Sequence, residues 1–566
     1  VLQINTGKLY ERGVGRKNQL TGVLYANVRL PYEREIVTAA GTLRSAGSNS
    51  GDIALVYEIE ERIEKADPEP GVLVSHTVRP FLDDFAVVAS FGLGGVFSRD
   101  QETVRGLTGG RPGFSSYESP DGFIAGFFDR SINISDEQAD EFVAFVNELL
   151  ALERQNYLGA MRAMRNFVAG LHRIPDDLAL AYTLIVSSVE SLAQDFDGFS
   201  PAWSDLDDRK RNTVDGALVD LSTSQADSVR AAILKSEHVA LARRYRAFVK
   251  SHVNAYYFRH PAAGSHPVAR YELDAALRQA YGVRSAYIHQ LRSLPSPIAL
   301  SHEHRETTTV ERRPALTFQG LFRLTRHVIK SFVAKSPKIQ KETYDYTLEQ
   351  AGVVSVPMAP RYWVWRPLVN PAEARRRLEG MLSLTAAVLH RDPGAQLVDL
   401  RPMLADVERL LPQAAAVHRP ALLLLHILYN LMVPPDLRTP GFDNFLSNHE
   451  AEATRPSIEA VIVSTVLNAH EEWTLEEHQV VLERYFTERT RPKGLHAPRL
   501  LEAAACLALA EKYRVAGDGS TTKLLVERAV EAHPAHVGLR EFEAAYDGIS
   551  VVDWQGILLP ASPEAE

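Results

Sequence analysis

Short apolar runs broken by glycine and charge dominate the first part of the chain. Thr21-Gly22-Val23-Leu24-Tyr25, Ile53-Ala54-Leu55-Val56-Tyr57 and Ala86-Val87-Val88-Ala89-Ser90 have the β-branched, alternating character of strands. Residues 1–134 therefore read as a strand-rich domain. From Ser135 the period changes to that of a helix, beginning at Asp136-Glu137-Gln138 and running through Phe142, Phe145, Leu149 and Leu152 towards Phe167. After Pro175-Asp176-Asp177 a second strong helix is expected from Leu178 to about Asp195. Further helices are expected over 208–221, 228–256, 271–292 and 315–334, so residues 135–341 read as an all-helical domain.

Residues 342–370 carry Pro357, Pro360 and the run Arg361-Tyr362-Trp363-Val364-Trp365-Arg366, and read as a structured linker whose tryptophans pack against a neighbour. Helical pattern returns over 371–566. Within it Leu509, Ala510, Tyr513, Gly517, Ala529 and Pro534 stand at the offsets of a tetratricopeptide-type helical hairpin covering 503–536. Cys506 and Val526 occupy places where that pattern prefers bulkier aromatics. The expected class is thus α+β and multidomain, with a strand-rich first part, a central helical bundle and a solenoid-like helical end.

Charge changes this picture in one place. The 566 residues carry 62 Lys+Arg and 71 Asp+Glu, a net of −9, which leans away from a polyanion partner. The excess is not uniform, because residues 201–341 hold 23 Lys+Arg against 12 Asp+Glu, a net of +11. A basic segment inside an acidic chain points to RNA or another polyanion, with solvated helix faces as the alternative. Arg243, Arg244 and Arg246, and the cluster of Arg312, Arg313, Arg323, Arg326 and Lys330, are its candidate phosphate contacts.

Other chemistry is sparse. The single cysteine, Cys506, lies among alanines and leucines and reads as a packed thiol. Phe91-Gly92-Leu93-Gly94-Gly95 lacks the Gly-Lys-Ser/Thr ending of a phosphate loop and reads as a turn. His302 and His304 flank Glu303 without a second ligand pair, so no metal or other cofactor is expected. The first residues do not resemble a signal peptide, and the longest apolar run, Ala421–Val433, is too short to span a bilayer. The expected location is cytoplasmic, with no membrane partner.

One motif lies in the basic helical segment. Tyr281-x-x-Arg284-Ser285-x-x-x-His289 follows, by about a hundred residues, Val186-Ser187-Ser188-Val189-Glu190-Ser191-Leu192. Together they resemble the Apea-like branch of the HEPN families over about residues 135–335. The resemblance implies a helical bundle that dimerises and cleaves single-stranded RNA without a metal, in anti-phage defence or abortive infection. Large flanking modules in such proteins restrain the nuclease until a phage-derived or protein trigger arrives. It also implies a catalytic set of Arg284, His289, Ser285 and, orienting across the bundle, Glu190. The residue types suit the chemistry. Histidine is the side chain that ordinarily titrates near neutral pH, and a guanidinium is a fixed cation for charge building on phosphorus.

Spacing alone decides little, since Arg165-Asn166-x5-His172 fits the same signature. Ser285 stands where more active members carry Asn, Asp or His. Five residues along a helix also turn the two side chains about 140° apart. The motif therefore requires a break near Gly282 or a second protomer to complete the site. The other reading is a non-catalytic dimeric scaffold that binds RNA or protein.

Overall fold

A computed structural model describes residues 1–46, 53–65, 74–109, 119–196, 198, 202–206, 208–236, 240–259, 266–300, 303–351, 353, 356, 358–470 and 472–560. They form two compact units, Val1–Ser355 and Val356–Glu566.

The first unit opens with a five-stranded antiparallel sheet of β1 (Val14–Ala26), β2 (Ile36–Thr38), β3 (Gly41–Ser45), β4 (Ile53–Glu64) and β5 (Phe97–Ser98), in the order β2-β3-β4-β1-β5. Leu55, Tyr57 and Ile59 of β4 alternate onto its buried face, as a period of two requires. Helix α1 (Arg79–Ala89) covers that face, with the Phe85 ring 4.6 Å from Tyr57. The run Ala86–Ser90, expected as a strand, is the last turn of this helix and the start of the turn that follows it. Its alanines and valines are buried or half-buried in the core, and a continuous apolar run fits a buried helix as well as a strand. A single π-helical turn, Ser90–Gly94, follows. Gly94 sits there at φ +75°, and a Cβ on Gly95 would collide with Val28, so the glycines serve the turn.

Next come α2 (Gln101–Thr108), α3 (Asp136–Ala151), α4 (Arg154–His172) and α5 (Leu178–Phe196). Ser135 and Gln138 form a capping box at the start of α3, and the chain breaks at Leu152-Glu153 where one long helix was expected. Then follow α6 (Asp208–Ala217), α7 (Thr223–Ser236), α8 (Leu241–His252) and α9 (Leu273–Gln290). The hairpin of β6 (Thr307–Val310) and β7 (Arg313–Leu316) stands where a helix was expected to begin, and α10 (Phe318–Lys335) ends the series. Helix α5 is buried nearly all round and packs against α4, α8, α9 and α10.

One apolar core runs from Leu2 through the sheet and these helices to Val333. The strand-rich segment 1–134 and the helical segment 135–341 therefore share a core, whereas the sequence reading divides them. Residues of the expected linker also part company: Tyr346 packs on Tyr10 in the first unit, while Val364 and Leu368 are buried in the second.

The second unit is helical, with α11 (Ala374–Leu389), α12 (Arg401–Leu410), α13 (Arg419–Met432), α14 (Phe442–Ala453), α15 (Ile458–Leu467), α16 (Leu475–Arg489), α17 (Arg499–Val515), α18 (Gly519–Ala532) and α19 (Val537–Ala545). Trp363 packs on Gly380 within it, while Trp365 is exposed. The expected hairpin is present as α17 and α18, joined through Gly517 at φ +84°. Leu509, Ala510 and Ala529 are buried between them, and Cys506 is buried with its thiol pushed up to about 12 by desolvation. Among the described residues, no helix is long and apolar enough to cross a membrane.

Candidate functional site

The two motif segments meet. Leu273, Ala276, Leu277 and Ala280 anchor the first half of α9 in the core, and its second half is held to α5 by polar ties. An Arg284 Nη lies 2.6 Å from a Glu190 carboxylate oxygen. Tyr281 Oη donates to the other oxygen at 3.2 Å, which Gln194 also approaches at 3.4 Å. Arg284 Nε donates to Ser187 at 3.4 Å, and Tyr287 Oη to Asp177 at 3.2 Å. Residues 281, 284 and 287 are spaced by three and so form one face of α9. Tyr281, which opens the motif, and Tyr287 thus act as polar ties to α5 and to the residue before it. The Tyr281 phenol is pushed up to about 12 by burial and by the Glu190 carboxylate, which Arg284 partly offsets.

Glu190 is almost wholly buried, and its side chain is 3% exposed against 18% for Arg284. A buried carboxylate needs a cation and hydrogen bonds, and this one has both. His289 lies elsewhere on the helix, exposed in the last turn of α9. Ile288 and Leu291 beside it are 50% and 78% exposed. The helix runs unbroken from Leu273 to Gln290, so Gly282 makes no irregular turn. The break in the helix expected as one way to bring Arg284 and His289 together is therefore absent from α9. Ser285 is half-buried on the same helix.

The competing pair is placed differently. Arg165 reaches Asp84 at 2.6 Å, and burial together with Arg173 pushes the His172 imidazole down to about 4. His172 is therefore neutral at pH 7.

The eight candidate phosphate contacts separate into two groups. Arg243 on α8, and Arg312 and Arg313 at the end of the β6–β7 hairpin, are exposed. The others are less exposed, and Arg243 too has a partner within the structure. Arg244 donates to the Gln194 carbonyl at 2.6 Å, and Arg246 pairs with Asp274 at 2.7 Å. Arg323 forms a forked pair with the buried Glu306 and lies 3.8 Å from the centre of the Tyr257 ring. Arg326 donates to the Phe91 and Gly92 carbonyls at 3.0 Å each, and its guanidinium is pushed down to about 10 by burial. Lys330 beside it is pushed down to about 8 by burial and Arg326, with Glu141 opposing. Arg326 and Arg323 close the fold around the π-turn and the loop that carries Glu306.

Among the described residues, no group of three or more His, Cys, Asp or Glu side chains is placed to hold a metal. His302 lies outside the described residues, and His304 Nε2 is 2.7 Å from the Asp121 carbonyl oxygen. Compared with protein-family models, with curated proteins and with solved structures, the chain matches none. The likeness to HEPN proteins rests on the residues described above.

Proposed function

We propose that the first unit is a HEPN-type endoribonuclease that cuts single-stranded RNA without a metal, working as a homodimer. The observation that carries the reading is the pairing of the two motif segments: Glu190 of α5 grips Arg284 of α9, and α9 ends in an exposed His289. Arg284 is held rigid and partly desolvated, the condition in which a cation best stabilises charge developing on a phosphorane. His289 is open to substrate and would move the protons of 2′-hydroxyl attack and 5′-oxygen departure. The pair diverges on one helix by about 140°. A catalytic centre on this reading takes Arg284 from one protomer and His289 from the other, with Ile288 and Leu291 beside it to be covered by the partner. Arg243, Arg312 and Arg313 are the phosphate contacts that fit this reading. A role in phage defence, with the rest of the chain sensing a trigger, completes the proposal.

A second reading has an observation in its favour. The Arg284 guanidinium is mostly buried and already neutralised by Glu190, as in a purely structural ion pair. In that case the unit is a dimeric scaffold that binds RNA or protein without cutting. The two separate on one experiment with labelled single-stranded RNA in the presence of a chelator. The nuclease cuts, leaves 2′,3′-cyclic phosphate ends, and loses about 100-fold or more of its rate in His289→Ala while keeping its RNA affinity. A scaffold binds with the same affinity and cuts at no measurable rate.

A further inference from the structure

Residues 350–372 contain no aspartate or glutamate, and they hold two of the chain's five tryptophans. The run Arg361–Arg366 lies among them in the second unit, and its backbone is held in place. Val364 and Leu368 are fully buried. Trp363 Nε1 donates to the Met358 carbonyl at 2.7 Å, and the Leu368 N–H donates to the Asp406 carboxylate at 3.0 Å. Arg377 is buried and donates to the Trp363 and Pro367 carbonyls. Two rings of this anchored run stay in solvent, Tyr362 at 50% and Trp365 at 47% exposure. Large rings left open on a fixed backbone are already ordered for a ligand that lies flat against them.

Three exposed arginines accompany the rings. Arg361 donates to Tyr362 Oη at 2.8 Å, with its guanidinium carbon 4.8 Å from the ring centre. Arg376, in the first turn of α11, lies 5.1 Å from the centre of the Trp363 ring. Arg366 and Arg376 are both close enough to act on Arg377, whose guanidinium is pushed down by burial and by these two cations while Glu373 opposes them. Glu373 approaches Arg377 at 3.4 Å, and Arg361, Arg366 and Arg376 form no ion pair among the described residues. An acidic peptide would answer the arginines and leave the rings open. An apolar partner would cover the rings and bury guanidinium groups without a counter-charge, which is costly. A single nucleic-acid strand answers both, since every base has a π-face and every nucleotide a phosphate.

We propose that this strip of the second unit binds single-stranded nucleic acid, with bases stacked on Tyr362 and Trp365 and phosphates held by Arg361, Arg366 and Arg376. The strip shares no residue with the Arg284 and His289 site and does not rest on the cleavage reading. Stacking and phosphate contact need no 2′-hydroxyl, so a DNA strand serves as the probe and binding is read apart from any RNA cleavage.

The test is fluorescence anisotropy of a labelled oligodeoxythymidylate of about twelve residues titrated with the full chain at about 50 mM salt. The parent should bind. The double variant Tyr362→Leu, Trp365→Leu keeps apolar bulk and removes both π-faces, so it should bind about tenfold or more weakly, whereas Tyr362→Phe, Trp365→Phe should stay within about threefold of the parent. The double variant Arg366→Gln, Arg376→Gln should make the dependence of log affinity on log salt shallower by about 1.4, the loss expected for two phosphate contacts on a single strand. All these side chains are exposed, so thermal unfolding should show the variants folded like the parent. Should the leucine variant fail to fold, the arginine variant decides by its salt dependence. The proposal is overturned if the parent does not bind the strand, if the folded leucine variant binds as tightly as the phenylalanine one, or if the arginine variant keeps the parent's salt dependence.

Discussion

Glu190 and Arg284 form a buried ion pair whose two members come from segments almost a hundred residues apart. Removing the charge from one partner strands the other, which for a mostly buried pair costs about 2–4 kcal/mol. Glu190→Gln should therefore lower the unfolding midpoint of the first unit by several degrees, whereas His289→Ala, at an exposed position, should leave it within about 0.5 kcal/mol of the parent. Denaturant unfolding of the two variants checks both. That Glu190 faces the later motif was legible from the two segments together. That Tyr281 closes on the same carboxylate was not, because a tyrosine three residues from an arginine reads equally well as ordinary packing. His172 gives a pH effect of defined sign. Its folded value of about 4 lies below the ordinary 6.5, so the unfolded chain binds more protons between those values. Its contribution is complete above pH 6.5 and falls away as pH drops towards 4, by roughly 3 kcal/mol in all. The difference in stability between the parent and His172→Gln should shift by about that amount across this window and stay flat above pH 7.

Among the elements, helices with caps and a clear period were legible and short strands were not. Leu178–Phe196 lies within a residue of its expected span because Asp177 accepts from the Leu180 N–H and the apolar positions follow without interruption. The β6–β7 hairpin escaped notice because its two-residue turn is Glu311-Arg312, with φ of +50° and +65°, rather than the Asn-Gly that such a turn favours. Holding two side chains in that region is a strain, so the double replacement Glu311→Asn, Arg312→Gly should stabilise the unit by about 1 kcal/mol in thermal unfolding. Gly320 is the opposite case. A Cβ there would collide with the Glu306 carbonyl at the start of α10, so Gly320→Ala should lower the melting midpoint. Ala86–Ser90 misled for a related reason: a short apolar run has the same pattern whether it is a buried strand or a buried helix, and only its neighbours decide.

For the molecule as a whole, the charge split remains a property of the sequence, but much of the positive excess is engaged inside the first unit. Arg246 ties α8 to α9 while Arg323 and Arg326 brace loops and turns, and composition alone has no means of separating a bracing arginine from one that faces a phosphate. The boundary at 134 was also beyond the sequence, since sheet and bundle contribute to a single core whose contacts are set only when the chain folds. The central claim is a catalytic centre shared between two copies of the chain. The proposal is supported by an unbroken α9 that turns Arg284 towards α5 and leaves His289 exposed at its end. Mixing unfolded and refolded Arg284→Ala and His289→Ala proteins in equal amounts tests it most directly, with RNA cleavage as the readout. Each variant alone should be inactive, and the mixture should recover about a quarter of the parent rate, because half of the dimers are mixed and one of their two centres is intact. A mixture as inactive as its components, or a single variant that cuts as well as the parent, would contradict the account.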